Sequence, residues 1–259
     1  MVDFSGFEAL TFDCYGTLID WESGILGELR PIIAAHGVPM PSGDDLLVEF
    51  ARLEGEAEAG AYRSYRSILV DVALGFGKSY GFELTDQQVT RFSGSVGVWP
   101  PFSDTVDALQ RLSKRYRLAI ASNVDDDLFA GSAVQLGIDF SAVVTAQQVR
   151  SYKPAHSHFH EVWRRLDLPK EKVLHVAQSR YHDVAPAREL GLTCVWVNRR
   201  GGGGATSPSD AVPDHEVRDL TSFADELGLS FVSPSVHLLS TPGASVVQVV
   251  TAASRVRVS

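Results

Sequence analysis

Four polar clusters in this chain each stand where a short apolar run ends. Ala9-Leu10-Thr11-Phe12 stops at Asp13, with a glycine turn at Gly16 and a hydroxyl at Thr17. Arg117 to Ala121 runs into Ser122 and Asn123, and Val143-Val144 precedes a loop carrying Lys153-Pro154. Val173 to Ala177 leads into Ser179 and Asp183. Carboxylates, hydroxyls and an ammonium are the groups of nucleophilic and acid–base catalysis. Singly, each has an ordinary reading: Asp13 and Ser122 as helix caps, Lys153 as a solvated loop lysine. Jointly they say more. In a parallel α/β sheet, ligands bind outside the carboxyl ends of the strands, which lie side by side. Groups following four different strands would therefore share one crevice.

The elements that must position them can be read from hydrophobic periodicity. The runs at 9–12, 117–121, 143–144, 173–177 and 194–197 are short, apolar and strand-like. Between most of them lie helical stripes, such as Val106, Leu109 and Leu112, and Phe159, Val162 and Leu166. Alternating strands and helices predict a doubly wound parallel sheet. From Trp21 to Val98 the pattern is helical throughout, with stripes through Ile25, Leu29, Ile32 and Ile33, then Leu46, Leu47 and Phe50, then Ile68, Leu69, Val72 and Phe76. The predicted organisation is an α/β core at 1–20 and 99–229, a helical insertion at 21–98, and a tail at 230–259 that no pattern places.

Several conspicuous motifs carry ordinary readings. Asp125, Asp126 and Asp127 suit the first turn of a helix. Gly201 to Gly204 lacks the lysine of a phosphate-binding loop and reads as a connection. His156, His158 and His160 read as a solvated helix start, and His175 as a core residue inside a strand, while His182 is the histidine expected to line the crevice. The net charge of -9 argues against nucleic acid and anionic membrane as partners, and no apolar run is long enough to span a bilayer. The two cysteines, Cys14 and Cys194, read as buried thiols of a reducing, cytoplasmic setting.

The order Asp-x-x-x-Thr, Ser/Asn, Lys-Pro and a late Asp resembles the haloacid dehalogenase (HAD) superfamily, over Phe7 to Leu229. The resemblance implies a Rossmann-like core with the helical insertion as its cap domain. It casts Asp13 as nucleophile, Lys153 as the cation that keeps it ionised and oriented, Thr17 and Ser122 as hydrogen-bonding hydroxyls, and Asp183 as the group that orients or activates water. Phosphatases of this superfamily resemble Asp-x-Asp-x-Thr at the first motif and carry Gly-Asp before the last acid. Here Tyr15 and Ala177-Gln178 stand in those places. A metal-dependent phosphatase is therefore disfavoured, and magnesium belongs to that alternative alone.

Asp13-Cys14-Tyr15-Gly16-Thr17 is instead similar to the first motif of the L-2-haloacid dehalogenases (type II). That resemblance implies a hydrolase that displaces halide from a small 2-haloacid, an anionic organic acid, without metal or cofactor, and it suggests a homodimer. Asn123 and Arg52 would contact halide, with a solvated helix arginine as the competing reading of Arg52, and Tyr15 would wall the pocket. Two departures touch the substrate: Phe159 replaces a tyrosine, and Arg180 replaces an asparagine, introducing a cation that could bind a substrate carboxylate. Ser179 and Asp183 keep their places. The competing expectations are a phosphohydrolase with an atypical acid and a non-catalytic binding protein of the same fold.

Overall fold

The structure is a computed structural model that describes residues 2–201 and 208–229. Its centre is a six-stranded sheet of β1 (Ala9–Phe12), β2 (Arg117–Ser122), β3 (Ala142–Thr145), β4 (Val173–Ala177), β5 (Cys194–Val197) and β6 (His215–Val217). Every pairing is parallel and the order is β3-β2-β1-β4-β5-β6. The first strand is thus central, and the chain reverses its winding direction beside it. That reversal opens the crevice in which α/β proteins bind ligands. The edge strand β6 was not anticipated: it is three residues long and only Val217 of it is buried, so it carries no apolar run.

Side chains on the strands alternate between the two faces. Ala119 and Val144 pack in one cluster with Phe159, Val162 and Leu166. Leu118 and Ile120, their neighbours on β2, join Leu10, Phe12, Leu109, Leu128 and Phe223 in the other. Burial on both faces is why these strands read as continuous apolar runs rather than alternating ones.

Four helices follow β1 in turn: α1 (Trp21–Ala35), α2 (Gly43–Glu58), α3 (Tyr65–Tyr80) and α4 (Asp86–Gly94). Asp20, Ser42, Ser64 and Thr85 cap them, each accepting a backbone N–H of the first turn. Their apolar stripes through Ile25, Leu29, Leu46, Phe50, Leu69, Val72 and Phe76 are continuous with one face of the sheet. After them come α5 (Thr105–Leu112), α6 (Asp126–Leu136), α7 (Ala146–Val149), α8 (Ser157–Leu166), α9 (Ala185–Glu189) and α10 (Leu220–Glu226). Asp126 does open α6, as the acidic run predicts. The buried Asp125 before it does a different job, accepting from the backbone N–H groups of Tyr65 (3.0 Å) and Arg66 (2.9 Å). A core carboxylate thereby satisfies donors at the start of α3 and ties the insertion to the sheet.

The phosphate-loop question at Gly201 to Gly204 lies, apart from Gly201, outside the described residues, as does the tail from 230 onward. No described helix is long and apolar enough to cross a membrane.

Candidate active site

β1 delivers Asp13 to the mouth of the crevice, and Gly16, with φ of 96°, turns the chain back beneath it. The turn brings the Thr17 hydroxyl to 2.8 Å from Asp13 Oδ2, to which it donates. Thr17 Oγ1 in turn accepts from the backbone N–H of Gln178 at 2.9 Å, which links the loops after β1 and β4.

Lys153 arrives from the loop after β3. Its Nζ donates to Asp13 Oδ1 (2.9 Å), to Asp183 Oδ1 (2.7 Å) and to the carbonyl of Ala121 (2.8 Å). An ammonium has three N–H groups, so all of them are taken. Asn123 fixes the backbone from which Lys153 projects: its Oδ1 accepts Lys153 N–H at 2.7 Å and its Nδ2 donates to Lys153 O at 3.1 Å. Both ends of that amide are therefore committed to positioning the lysine.

Asp183 lies in a π-helical turn, Arg180–Val184, opened by Ser179, whose Oγ accepts His182 N–H at 3.0 Å. Inserting a fifth residue into the turn brings this carboxylate to the lysine. His175, on β4, completes the arrangement. Its Nε2 donates to Asp183 Oδ1 at 2.9 Å and its Nδ1 contacts Thr11 Oγ1 at 2.8 Å. The expectation of a core histidine holds for its burial but misses this bond, because only the fold reveals that a β4 side chain points at the end of its own loop.

Charge follows from these contacts. Burial opposes ionisation of Asp183, but Lys153 and His175 outweigh it and hold the carboxyl well below the ordinary aspartate range. Burial likewise disfavours the Lys153 cation, and the two carboxylates overcome that and raise it. Burial pushes Asp13 up, partly countered by Lys153. The two acids are therefore shifted in opposite directions, Asp183 toward its anion and Asp13 toward holding its proton. Asp183 Oδ2 and Ser122 Oγ are both buried and make no hydrogen bond among the described residues. Such atoms are costly to leave unpaired, and both belong to residues that line one cavity.

These groups open on a cavity of about 140 Å³, sized for a small molecule and lined by Asp13, Tyr15, Ser122, Asn123, Lys153, Ser179, His182 and Asp183 on the sheet side. Burial holds the His182 imidazole down at about 4. The Tyr15 hydroxyl bonds Ser132 Oγ at 3.0 Å, and its ring packs edge-on to Trp99, so it walls the cavity and offers it no acid. From the insertion, α2 contributes Phe50, Glu54 and Glu58.

Two arginines are not brought to this cavity. Arg52 is exposed and paired with Glu49 (2.7 Å) and Glu56 (2.6 Å). It precedes the cavity-facing Glu54 by two residues, which turns it about 200° around the helix. Arg180 donates to the carbonyl of Ala211 (2.9 and 2.7 Å) with its guanidinium over Trp196, so it is not available to a substrate carboxylate. Phe159 is fully buried against His175 and does not reach the cavity. His158, expected in a solvated helix start, is instead buried with Nε2 against the Ser122 carbonyl (3.2 Å), and burial lowers it to about 3.

Glu54 and Glu58 were missed altogether. On the sequence they are two acids of an exposed-looking helix end, and nothing but their i, i+4 spacing marks a shared face.

Comparison with known proteins adds the lineage. The profile of the haloacid dehalogenase-like hydrolases matches residues 7–191. An (S)-2-haloacid dehalogenase of Pseudomonas putida is 26% identical over 232 residues, 85% of this chain and 96% of the relative. One of Pseudomonas fluorescens is 27% identical over 227 residues, with the same coverage. An L-2-haloacid dehalogenase structure from Xanthobacter autotrophicus, with chloropropionic acid covalently bound, superposes with a TM-score of 0.70 at 21% identity, covering 86% of this chain and 98% of that one.

Proposed function

Because the chain belongs to the haloacid dehalogenase-like hydrolase family, we propose that it hydrolyses the carbon–halogen bond of small 2-haloacids through an ester on Asp13. The observation that carries the reading is the Asp13–Lys153–Asp183 cluster, with Tyr15 turned away to Ser132 where a phosphatase places its acid. The relatives from Pseudomonas, named as (S)-2-haloacid dehalogenases, support the substrate class.

In this reading an Asp13 carboxylate oxygen attacks the carbon that bears the halogen. The carbon–halogen bond breaks, halide leaves with the bonding pair, and an ester joins Asp13 to the substrate carbon. Lys153 and Thr17 hold the attacking carboxylate in a single orientation. Water then adds to the carbonyl carbon of the ester, and the free Oδ2 of Asp183 takes its proton. The ester cleaves to a 2-hydroxy acid and restores Asp13; the net change consumes one water and releases halide and a proton. Ser122 Oγ is the donor offered to the substrate carboxylate. The helical insertion acts as the cap over the cavity.

A divalent cation fits this donor set poorly. Asp13 and Asp183 already share an ammonium, and Tyr15 and Gln178 replace the hard anionic oxygens magnesium requires. No step is therefore routed through a metal.

The test is a single turnover of (S)-2-chloropropionate in ¹⁸O-water, with EDTA present. The expected result is label in the Asp13 carboxylate and not in the first product formed. Label in the first product, or no halide release from any haloacid by folded protein, overturns the reading.

A further inference from the structure

The wall that α2 gives to the cavity is acidic, and nothing in the proposed chemistry uses it. Glu54 and Glu58 are four residues apart, half-buried, and both line the cavity that holds Asp13 and Lys153. Tyr65 donates its hydroxyl to Glu54 Oε1 at 2.5 Å. Glu58 makes no hydrogen bond or ion pair among the described residues. Like charges at this spacing repel, so a bare pair is an unfavourable way to build a cavity wall.

Among the described residues, no unengaged cation in the cavity answers them. Lys153 and His182 are the basic side chains that line it; the three N–H groups of the lysine are spent on Asp13, Asp183 and Ala121, and burial keeps the imidazole of His182 uncharged. Arg52 and Arg180 are engaged elsewhere. Two further observations point to a ligand. Ser122 Oγ and Asp183 Oδ2, fully buried on the sheet side of the same cavity, lack partners. Beyond Glu58 an adjoining cavity is lined by Tyr62, Tyr152 and Tyr181, and there Arg150 already stacks its guanidinium 4.5 Å from the Tyr62 ring. Aromatic faces beside a carboxylate are the surroundings that hold organic cations.

From this arrangement we infer that Glu54 and Glu58 select substrates carrying an ammonium-type cation at the end remote from the reacting carbon. The inference rests on the dehalogenase reading and narrows it to zwitterionic 2-haloacids: the carboxylate meets Ser122 near the sheet, and the cation meets the glutamates of α2. Burial pushes Glu54 up to about 7, and burial together with Glu54 pushes Glu58 up to about 9. Both shifts describe a pair that gains from a cation placed between them.

The test compares two molecules of one shape, 2-chloro-4-(trimethylammonio)butanoate and its uncharged isostere 2-chloro-5,5-dimethylhexanoate. The quaternary nitrogen cannot cyclise onto the halogen-bearing carbon. The expected result at pH 8 is a kcat/KM at least about tenfold higher for the cationic compound, a ratio that collapses toward one in the Glu54→Gln, Glu58→Gln double variant. A ratio of one or less in the natural protein, or a ratio unchanged in the double variant, overturns the inference. Binding of the same pair to Asp13→Asn protein, measured by calorimetry, separates the two readings. Tighter binding of the cation without any turnover in the natural protein keeps the inference and removes the dehalogenase; equal or weaker binding removes the inference itself.

Discussion

The sheet side of the cavity and the α2 side spend charge in opposite ways. On the sheet side the Lys153 ammonium has three acceptors and each of its two carboxylates has a further donor, Thr17 for Asp13 and His175 for Asp183. On the α2 side two carboxyls share one wall with a single hydroxyl donor between them. A buried ion cluster that is fully paired holds its members in one geometry, and removing one member leaves the others uncompensated. A wall of acids that no cation answers does the reverse: it is poised to respond to whatever enters. The first is the pattern of a reaction centre, and the second that of a specificity surface.

The largest test of the contrast is Lys153→Met. Two buried carboxylates then share no cation, and one must take a proton. We expect kcat for haloacid dehalogenation to fall by about 10³-fold or more, and unfolding free energy in urea to fall by about 3–5 kcal/mol. A variant within tenfold of the natural rate removes Lys153 from the reaction centre.

His175→Gln should have the next largest effect. The imidazole touches Asp183 and not the cavity, so it acts by positioning the proton acceptor. Turnover should fall by about 10–100-fold, and the loss should lie in ester hydrolysis. Mass spectrometry of quenched reactions should therefore show an Asp13 adduct that the natural protein does not accumulate. A fall in rate without that adduct means His175 serves packing alone.

These two residues also mark how far the sequence could be read. Lys153 was legible because a lysine just past a strand-like run, in an Asp…Ser…Lys…Asp order, has few other reasons to recur at strand ends. The parallel sheet was legible for the same reason, since its strands are buried on both faces and read as unbroken apolar runs. His175 was legible only as buried. Its partner Asp183 is eight residues away around a π-helical turn, and that geometry leaves no periodic trace. On α2 the side chain that the sequence singled out is not one that lines the cavity. Arg52 drew attention because it lies about where the resembling family places a halide-binding arginine, yet the helical period aims Glu54 and Glu58 inward and Arg52 at solvent. Facing is set by the insertion's apolar stripe, Leu46, Leu47 and Phe50, and not by the charge of the residue that follows.

The acidic wall should also show in stability. Both carboxyls bind protons more tightly in the folded chain than in the unfolded one, where the ordinary value is 4.5. Their contribution is therefore complete at and below that value and is lost as pH rises through about 7 and then about 9. Between pH 5 and 9 the natural protein should lose about 2 kcal/mol relative to the Glu54→Gln, Glu58→Gln variant, a figure reduced for partial solvent screening. Tyr65 and His182 line the cavity with the pair, and Arg150 lines the adjoining one with Glu58, in both proteins, so the difference between the two urea titrations isolates the glutamates. Parallel pH profiles would mean the wall is solvated and unstrained.

Arg52→Ala should do least, and its smallness is informative. Its two partners, Glu49 and Glu56, lie on the same turn-spaced face of α2, and the arginine is about half exposed, 47% at the side chain. Exposed i, i+3 and i, i+4 pairs contribute only about 0.3–0.5 kcal/mol each, and salt weakens them further. Halide release should stay within about twofold of the natural rate, because a side chain turned some 200° from the cavity-facing glutamate cannot touch the substrate. A large rise in KM for haloacids would mean that α2 rotates on binding to bring Arg52 inward. It would then have to swing Glu54 and Glu58 out, and the cation preference of the cavity would vanish with the same motion. One variant thus tests both the outward arginine and the inward acids, since the helix can present only one of them to the substrate.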